Sequence, residues 1–416
     1  MNRTKTVRTV GAFVVGQGAL QAIQAVSGLV LVREMDIREY GILAFVLSVQ
    51  ATVSVLCDLS FRDAVIANAG SDWHNRSLLG DLVAAVWRVR MTIWVVASLG
   101  AFLALYFFHL RHGLSLNKAM VFAALISGSV FFNSWFTYFS LPLVLARDMR
   151  QLYAPQILAQ AVRLAGIIIL VGAGFLAASP VVALSCLAIA VAGLWYRFRH
   201  AGLFKFPERP TEESRLRLRQ YVVPLLPSSI FYAFQDQITA FILTIFGQTT
   251  NIAQAFALGR LGIVFQLFGA AGTVLVIPWI ARSSSAQLPR RYFAVLSFCV
   301  TLAALFIAAS FVFPDAFLFV LGGNYRGLER ELQIVIATMS LGFVGTMMWL
   351  MNNARRWIWS WSSFPYIGVT LAIQVTCIAT LDMLVLRNVL TMSLLVALGV
   401  LGVQIFQSAM GFALKR

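Results

Sequence analysis

Charge is scarce in this sequence. Only 12% of its 416 residues are Asp, Glu, Lys or Arg, where a soluble globular domain carries roughly 25%. That shortage excludes an ordinary water-soluble enzyme. Acid is scarcer still, with 16 Asp and Glu against 32 Lys and Arg and a net charge of +16. Cysteine is limited to Cys57, Cys186, Cys299 and Cys377. Each lies in an apolar stretch and none has CxxC spacing, so they read as small core residues. Catalytic signatures are missing as well. There is no GxxxxGK[ST], no HExxH and no GxSxG. Gly16-Gln17-Gly18 starts a GxGxxG-like run, but Gln21 stands where the last glycine belongs. His74, His109, His112 and His200 form no metal-ligand set. No polar insert is large enough for a catalytic domain, so the expectation is a non-enzyme with no cofactor and no metal.

What the sequence has is apolar surface. Apolar residues make up 60% of the chain, and mean hydropathy is +0.83. This content runs the whole length, which excludes disorder and points to an all-α integral membrane protein. Spans are expected at about 9–32, 40–60, 84–108, 118–146, 152–176, 180–197, 220–246, 252–281, 291–314, 331–352, 361–382 and 387–413. The stretches 118–146 and 252–281 are long, which suggests tilt or helix beyond the lipid. The first run is too long and too rich in Gln for a signal peptide.

Roughly three in four of the basic residues fall at the termini or in even-numbered loops. They include Arg3, Lys5 and Arg8, then Arg62, Arg76, Arg88 and Arg90, then Arg147, Lys415 and Arg416. Both termini are therefore expected in the cytoplasm. This bias explains most of the positive charge without nucleic acid. A basic stretch, 199–219, separates an N-terminal six-helix lobe, 1–198, from a C-terminal one, 220–416. It reads either as a solvated linker or as a basic helix resting on anionic headgroups.

Ionisable groups at membrane depth are costly and mark candidate sites. Asp236 and Arg260 lie about 15 and 12 Å from the outer ends of consecutive helices. They read as a buried ion pair or as a coupling carboxylate with its partner. Arg163 lies roughly 16 Å into the fifth helix with no acid at its depth in that half. It either snorkels to the interface or meets an anion in a wet cavity. Gln17, Gln21, Gln24 and Gly28 form one stripe of the first helix. Gln156 and Gln160 precede Arg163 on the fifth. These amides read as interhelical glue or as the lining of a hydrated lumen.

Leu31–Ala44, with Tyr40-Gly41 opening the second helix, resembles bacterial polysaccharide flippases. Asp58-Leu-Ser-Phe61 resembles their Asp-Leu-Gly segment, with Ser60 replacing the usual glycine. Tyr221–Ser285 is similar too, through Pro224, Asp236, Ala257-Leu-Gly-Arg260 and Pro278. The family is the Wzx-like polysaccharide-transport branch of the multidrug/oligosaccharidyl-lipid/polysaccharide (MOP) exporter superfamily.

The resemblance implies a MATE-like arrangement of two six-helix lobes around a central cavity. It implies alternating-access movement of a polyprenyl-pyrophosphate-linked oligosaccharide across the bacterial inner membrane, with H⁺ or Na⁺ coupling. A polysaccharide polymerase and a chain-length regulator are the implied partners. Two alternatives stay open: an ion-coupled exporter of small molecules on the same fold, and a many-span polymerase or ligase.

Overall fold

The computed structural model describes residues 3–414 except 73, 147, 208, 273–275, 285, 358 and 360, without the side chains of 3–10, 71, 271 and 278. Arg147, Lys415, Arg416 and the side chains of Arg3, Lys5, Arg8 and Pro278 therefore lie outside the described residues. Among the described residues, every regular element is a helix. Eleven are long and apolar enough to cross a membrane, and a bent pair brings the count to twelve. The chain is a multi-pass membrane protein, with spans where hydropathy expects them.

Contacts divide the chain into two compact units. The first comprises Met1–Ser27 and Glu34–Thr244, the second Gly28–Arg33 and Ile245–Arg416. In the first run α1 (Arg3–Glu34), α2 (Ile37–Asp58), α3 (Phe61–Ala69), α4 (Arg76–His112), α5 (Leu116–Phe139), α6 (Leu141–Ala146), α7 (Met149–Gly172) and α8 (Ala178–His200). They are followed by α9 (Glu212–Val222), α10 (Leu226–Gln235) and α11 (Ile238–Phe246).

The helix starts are capped as their sequences dictate. Asp36, Asn75, Ser115, Asp148 and Thr211 accept backbone N–H bonds at the starts of α2, α4, α5, α7 and α9. Glu39 reaches further, taking the Ala178 N–H at the start of α8 at 2.8 Å.

Helices α5 and α8 approach closely at Gly193, where an added Cβ would sit 2.3 Å from the Phe132 carbonyl oxygen. Gly193→Ala must push backbone against backbone. It is expected to cost about 1–3 kcal/mol, seen as a lower thermal midpoint of the purified protein. An unchanged midpoint contradicts the close packing.

Ser60 sits at φ 64 between α2 and α3, beside Leu59 at φ 36. The left-handed region costs a non-glycine residue roughly 1 kcal/mol, which explains the glycine that the resemblance leads one to expect. Ser60 instead hydrogen-bonds Ser229 Oγ at 3.2 Å.

The second unit holds α12 (Thr249–Gly259), α13 (Ile263–Ala271), α14 (Ile277–Ala281), α15 (Leu288–Val312), α16 (Pro314–Leu321), α17 (Glu329–Ala354), α18 (Ser363–Thr380) and α19 (Leu386–Ala413). Phe265, Phe343, Met347 and Trp357 form its apolar core. A buried polar network stitches α15, α17 and α19: Tyr292 Oη donates to Asn352 Oδ1 at 3.0 Å and lies 2.7 Å from Ser408 Oγ.

One span is not the continuous helix that its hydropathy suggests. The α9–α10 rod and α11 meet at a 52° bend. The long 252–281 stretch tightens into a 3₁₀ turn at Arg260–Gly262 between α12 and α13, while Thr249–Ala270 runs on as one apolar helix. Gly262 lies where an added Cβ would meet Met339 Sδ at 2.5 Å.

Candidate substrate site

The first unit gathers several of the predicted polar residues. Gln24 of α1, Asn133 of α5, and Gln156 and Gln160 of α7 line one cavity of about 110 Å³. Packing against small residues leaves this space open: Ala159, Ala188 and Ala192 complete the wall. Water occupies roughly 30 Å³ in the liquid, so the cavity as it stands has room for a few waters and not for a sugar residue. Gln17 and Gln21 do not line it. Both are half-buried on α1, and Gln21 Oε1 is buried without a protein hydrogen-bond partner.

Arg163 does not snorkel. It lies about 21 Å along α7 from Met149, and its guanidinium turns towards α8. Nε donates to Ser185 Oγ at 2.9 Å, and Nη1 donates to Gln160 Oε1 at 3.3 Å. Ser185 can accept because its own hydroxyl donates to the Val181 carbonyl.

An open apolar groove of about 720 Å³ runs along α5, α7 and α8, with Ile169 and Leu187 exposed on it. It is lined almost wholly by apolar side chains, among them Leu125, Phe132, Ile169 and Leu187. Gly166, one turn beyond Arg163, and Cys186, next to Ser185, also line it. Arg163 therefore stands between a polar cavity, touched through Gln160, and an apolar groove, bordered through Gly166 and Cys186. Neither is lined by an acid. Small polar pocket, guanidinium and open apolar groove follow one another along the same three helices, the order of polarity of an amphiphile with an anionic joint.

Asp236 and Arg260 fall in different units, Asp236 at a bend between helices and Arg260 at a 3₁₀ turn within a span. Asp236 is exposed at the bend after α10, flanked by Gln235 and Gln237. Its amide still closes the α10 turn on the Tyr232 carbonyl at 3.1 Å. Arg260 opens the 3₁₀ turn after α12 and packs against Gly28 of α1, where an added Cβ would lie 3.2 Å from Nη1. Discontinuous spans put polar backbone at membrane depth only where it is buried in protein or borders water. Asp236 thus occupies a position where a span is bent, whereas Arg260 lies within a continuous one.

One buried charge escaped the sequence reading. Arg90, counted above among cytoplasmic-loop residues, is fully buried in α4. Its Nη1 lies 3.4 Å from Asp58 Oδ1 and donates to Tyr138 Oη at 3.0 Å, with the guanidinium 5.0 Å from the Tyr138 ring centre. Arg90 lies inside both the expected span 84–108 and α4, so it is interior helix and not loop. The signal available was Asp58, a span-end acid that needed a partner.

No protein-family profile matches the chain, and no curated protein does. Solved structures do. The chain is similar to an inward-facing multidrug resistance MATE family transporter of the MOP superfamily, at 14% identity over 95% of this chain and 94% of that one, with TM-score 0.63. It is similar to the lipid II flippase MurJ in an inward closed conformation, at 10% identity over 96% and 91%, with TM-score 0.65. It is also similar to the eukaryotic MATE transporter AtDTX14, at 13% identity over 99% of each chain, with TM-score 0.54. At such identities the likeness shows the fold, which is the all-α MATE-type membrane fold expected above.

Proposed function

We propose that the protein is a flippase for a polyprenyl-pyrophosphate-linked oligosaccharide, acting in the bacterial inner membrane with both termini in the cytoplasm. The observation that carries this reading is Arg163, held between a polar cavity and an apolar groove. A lipid-linked sugar has the same order of parts: hydroxyl-rich glycan, anionic pyrophosphate, hydrocarbon tail. Amides suit sugar hydroxyls, and a guanidinium suits phosphate oxygens through paired N–H bonds.

The fold similarity to a lipid II flippase supports the same class of cargo. Similarity to multidrug transporters leaves export of small cations as the rival, but a cation site calls for a carboxylate and neither the cavity nor the groove offers one.

The small polar cavity means that glycan entry requires α1, α5 and α7 to separate. Asp236, at the helix break, is the carboxylate assigned to ion coupling.

Reconstitution tests the proposal. Vesicles containing the purified protein and a fluorescent polyprenyl-pyrophosphate oligosaccharide should expose the label to a membrane-impermeant quencher faster than empty vesicles do. Equal rates, together with saturable uptake of a cationic dye, would favour the multidrug reading.

A further inference from the structure

A third space, remote in sequence from Arg163 and its two partners, lies on the basic segment. It is a groove of about 460 Å³ between α3, α4, α9 and the start of α10. Its floor is apolar, built from Phe61, Val86, Val89, Leu218, Val222 and Leu226. Its rim carries Arg88, Arg215 and Arg219, and no acid lines it. Arg215 also meets Glu212 at 2.7 Å, but both side chains are exposed, so that pair is weak and open to competition.

The α9 wall is pinned in place. The Thr211 N–H and hydroxyl donate to the two carboxylate oxygens of buried Asp81 at 2.9 and 2.5 Å. The chain leading into it is strapped to α4. The Lys205 N–H donates to the Arg76 carbonyl at 3.1 Å, and Gly80 lies so near that an added Cβ would sit 2.1 Å from the Lys205 carbonyl oxygen. Helix α9 therefore cannot slide inward to fill the groove.

An apolar trough with a cationic rim is complementary to one kind of molecule. A free anion leaves the trough exposed to water. An uncharged lipid brings nothing to complement the cationic rim. A hydrocarbon chain with an anionic head satisfies both, and the volume falls in the range of ligand pockets, roughly 300–1,000 Å³. The helix is placed for it: α9 is the basic, water-side end of a span, with Leu216, Tyr221 and Val223 exposed beside the arginines.

We propose that this groove binds an anionic phospholipid, with an acyl chain along α4 and α9 and the phosphate against Arg88, Arg215 and Arg219. The lipid ties the basic segment to α4, which gives the protein a dependence on the anionic lipid content of its membrane. The site is independent of the transported substrate and stands or falls separately from it.

Native mass spectrometry of the delipidated full-length protein, titrated with palmitoyl-oleoyl phosphatidylglycerol or the matching phosphatidylcholine, tests the assignment. The anionic phosphatidylglycerol should bind about tenfold more tightly. Arg88→Ala and Arg219→Ala should each weaken it about fivefold. Val89→Trp, which fills the trough from its exposed side, should remove the tight site while leaving the thermal midpoint unchanged. Arg217→Ala, on the same helix but off the rim, should leave binding as it was. Equal binding of the two lipids overturns the proposal. So does an equal loss in Arg217→Ala, which would mean diffuse surface charge. Displacement of the lipid by millimolar inorganic phosphate would assign the rim to a free anion and likewise overturn it.

Discussion

Arg163→Ala is expected to lower the flipping rate about 10- to 100-fold, the loss of one or two charge-assisted hydrogen bonds to a phosphate. Arg163→Lys should keep part of the activity. Lysine restores the charge at that depth but cannot reproduce the planar two-point contact. The lysine variant separates a ligand role from a packing role. If Arg163 served only to join α7 to α8 through Ser185 at 2.9 Å, both variants would lower the thermal midpoint alike. Full transport in both would remove Arg163 from the site. Gln160→Ala is expected to have a smaller effect of the same sign, since it loosens the Nη1 contact at 3.3 Å but leaves the charge in place.

Replacing Arg90 should have the largest effect on stability. Its side chain is almost wholly buried, while Asp58 remains about a third exposed, at 36%. Arg90→Met leaves that carboxylate against apolar neighbours without its counterion. Breaking a buried pair from one side costs about 3–5 kcal/mol. The exposed edge of Asp58 places the expected loss near the lower end, about 3 kcal/mol. Adding Asp58→Asn should recover much of it, because the amide no longer needs a counterion. A double variant as unstable as the two single losses combined would show that Arg90 acts through Tyr138, over whose ring it also lies at 5.0 Å.

The spans were legible because lipid demands long apolar helices, and hydropathy reads that demand directly. The Tyr40-Gly41 start of the second helix was equally plain, being local. The bend was not. Nothing local to Gln235-Asp236-Gln237 forces a bend, and no proline stands there; the interruption belongs to tertiary packing.

Of the glutamine stripe, Gln24 reached the polar cavity while Gln17 and Gln21 did not, because α1 alone cannot say which of its turns faces α5 and α7. Arg163 was legible as a charge at depth, but its partners Ser185 and Gln160 were only half so. Gln160 is one turn away on the same helix, whereas Ser185 is on another. Arg90 was misread because the charge count grouped it with the neighbouring loop arginines, although it lies inside the expected span 84–108 and inside α4. The neighbour of Arg260 at Gly28 was hidden for a related reason: a glycine announces close approach but does not name what approaches.

The central claim concerns the cargo, and the leaflet of the cargo tests it most directly. In a bacterial host lacking this gene and any redundant flippase, the lipid-linked oligosaccharide pool is measured with its sidedness, alongside the surface glycan. The account predicts complete precursor held in the inner leaflet and loss of the glycan, both reversed by the wild-type gene and not by Arg163→Ala. A normal glycan, with precursor reaching the outer leaflet as before, would contradict it.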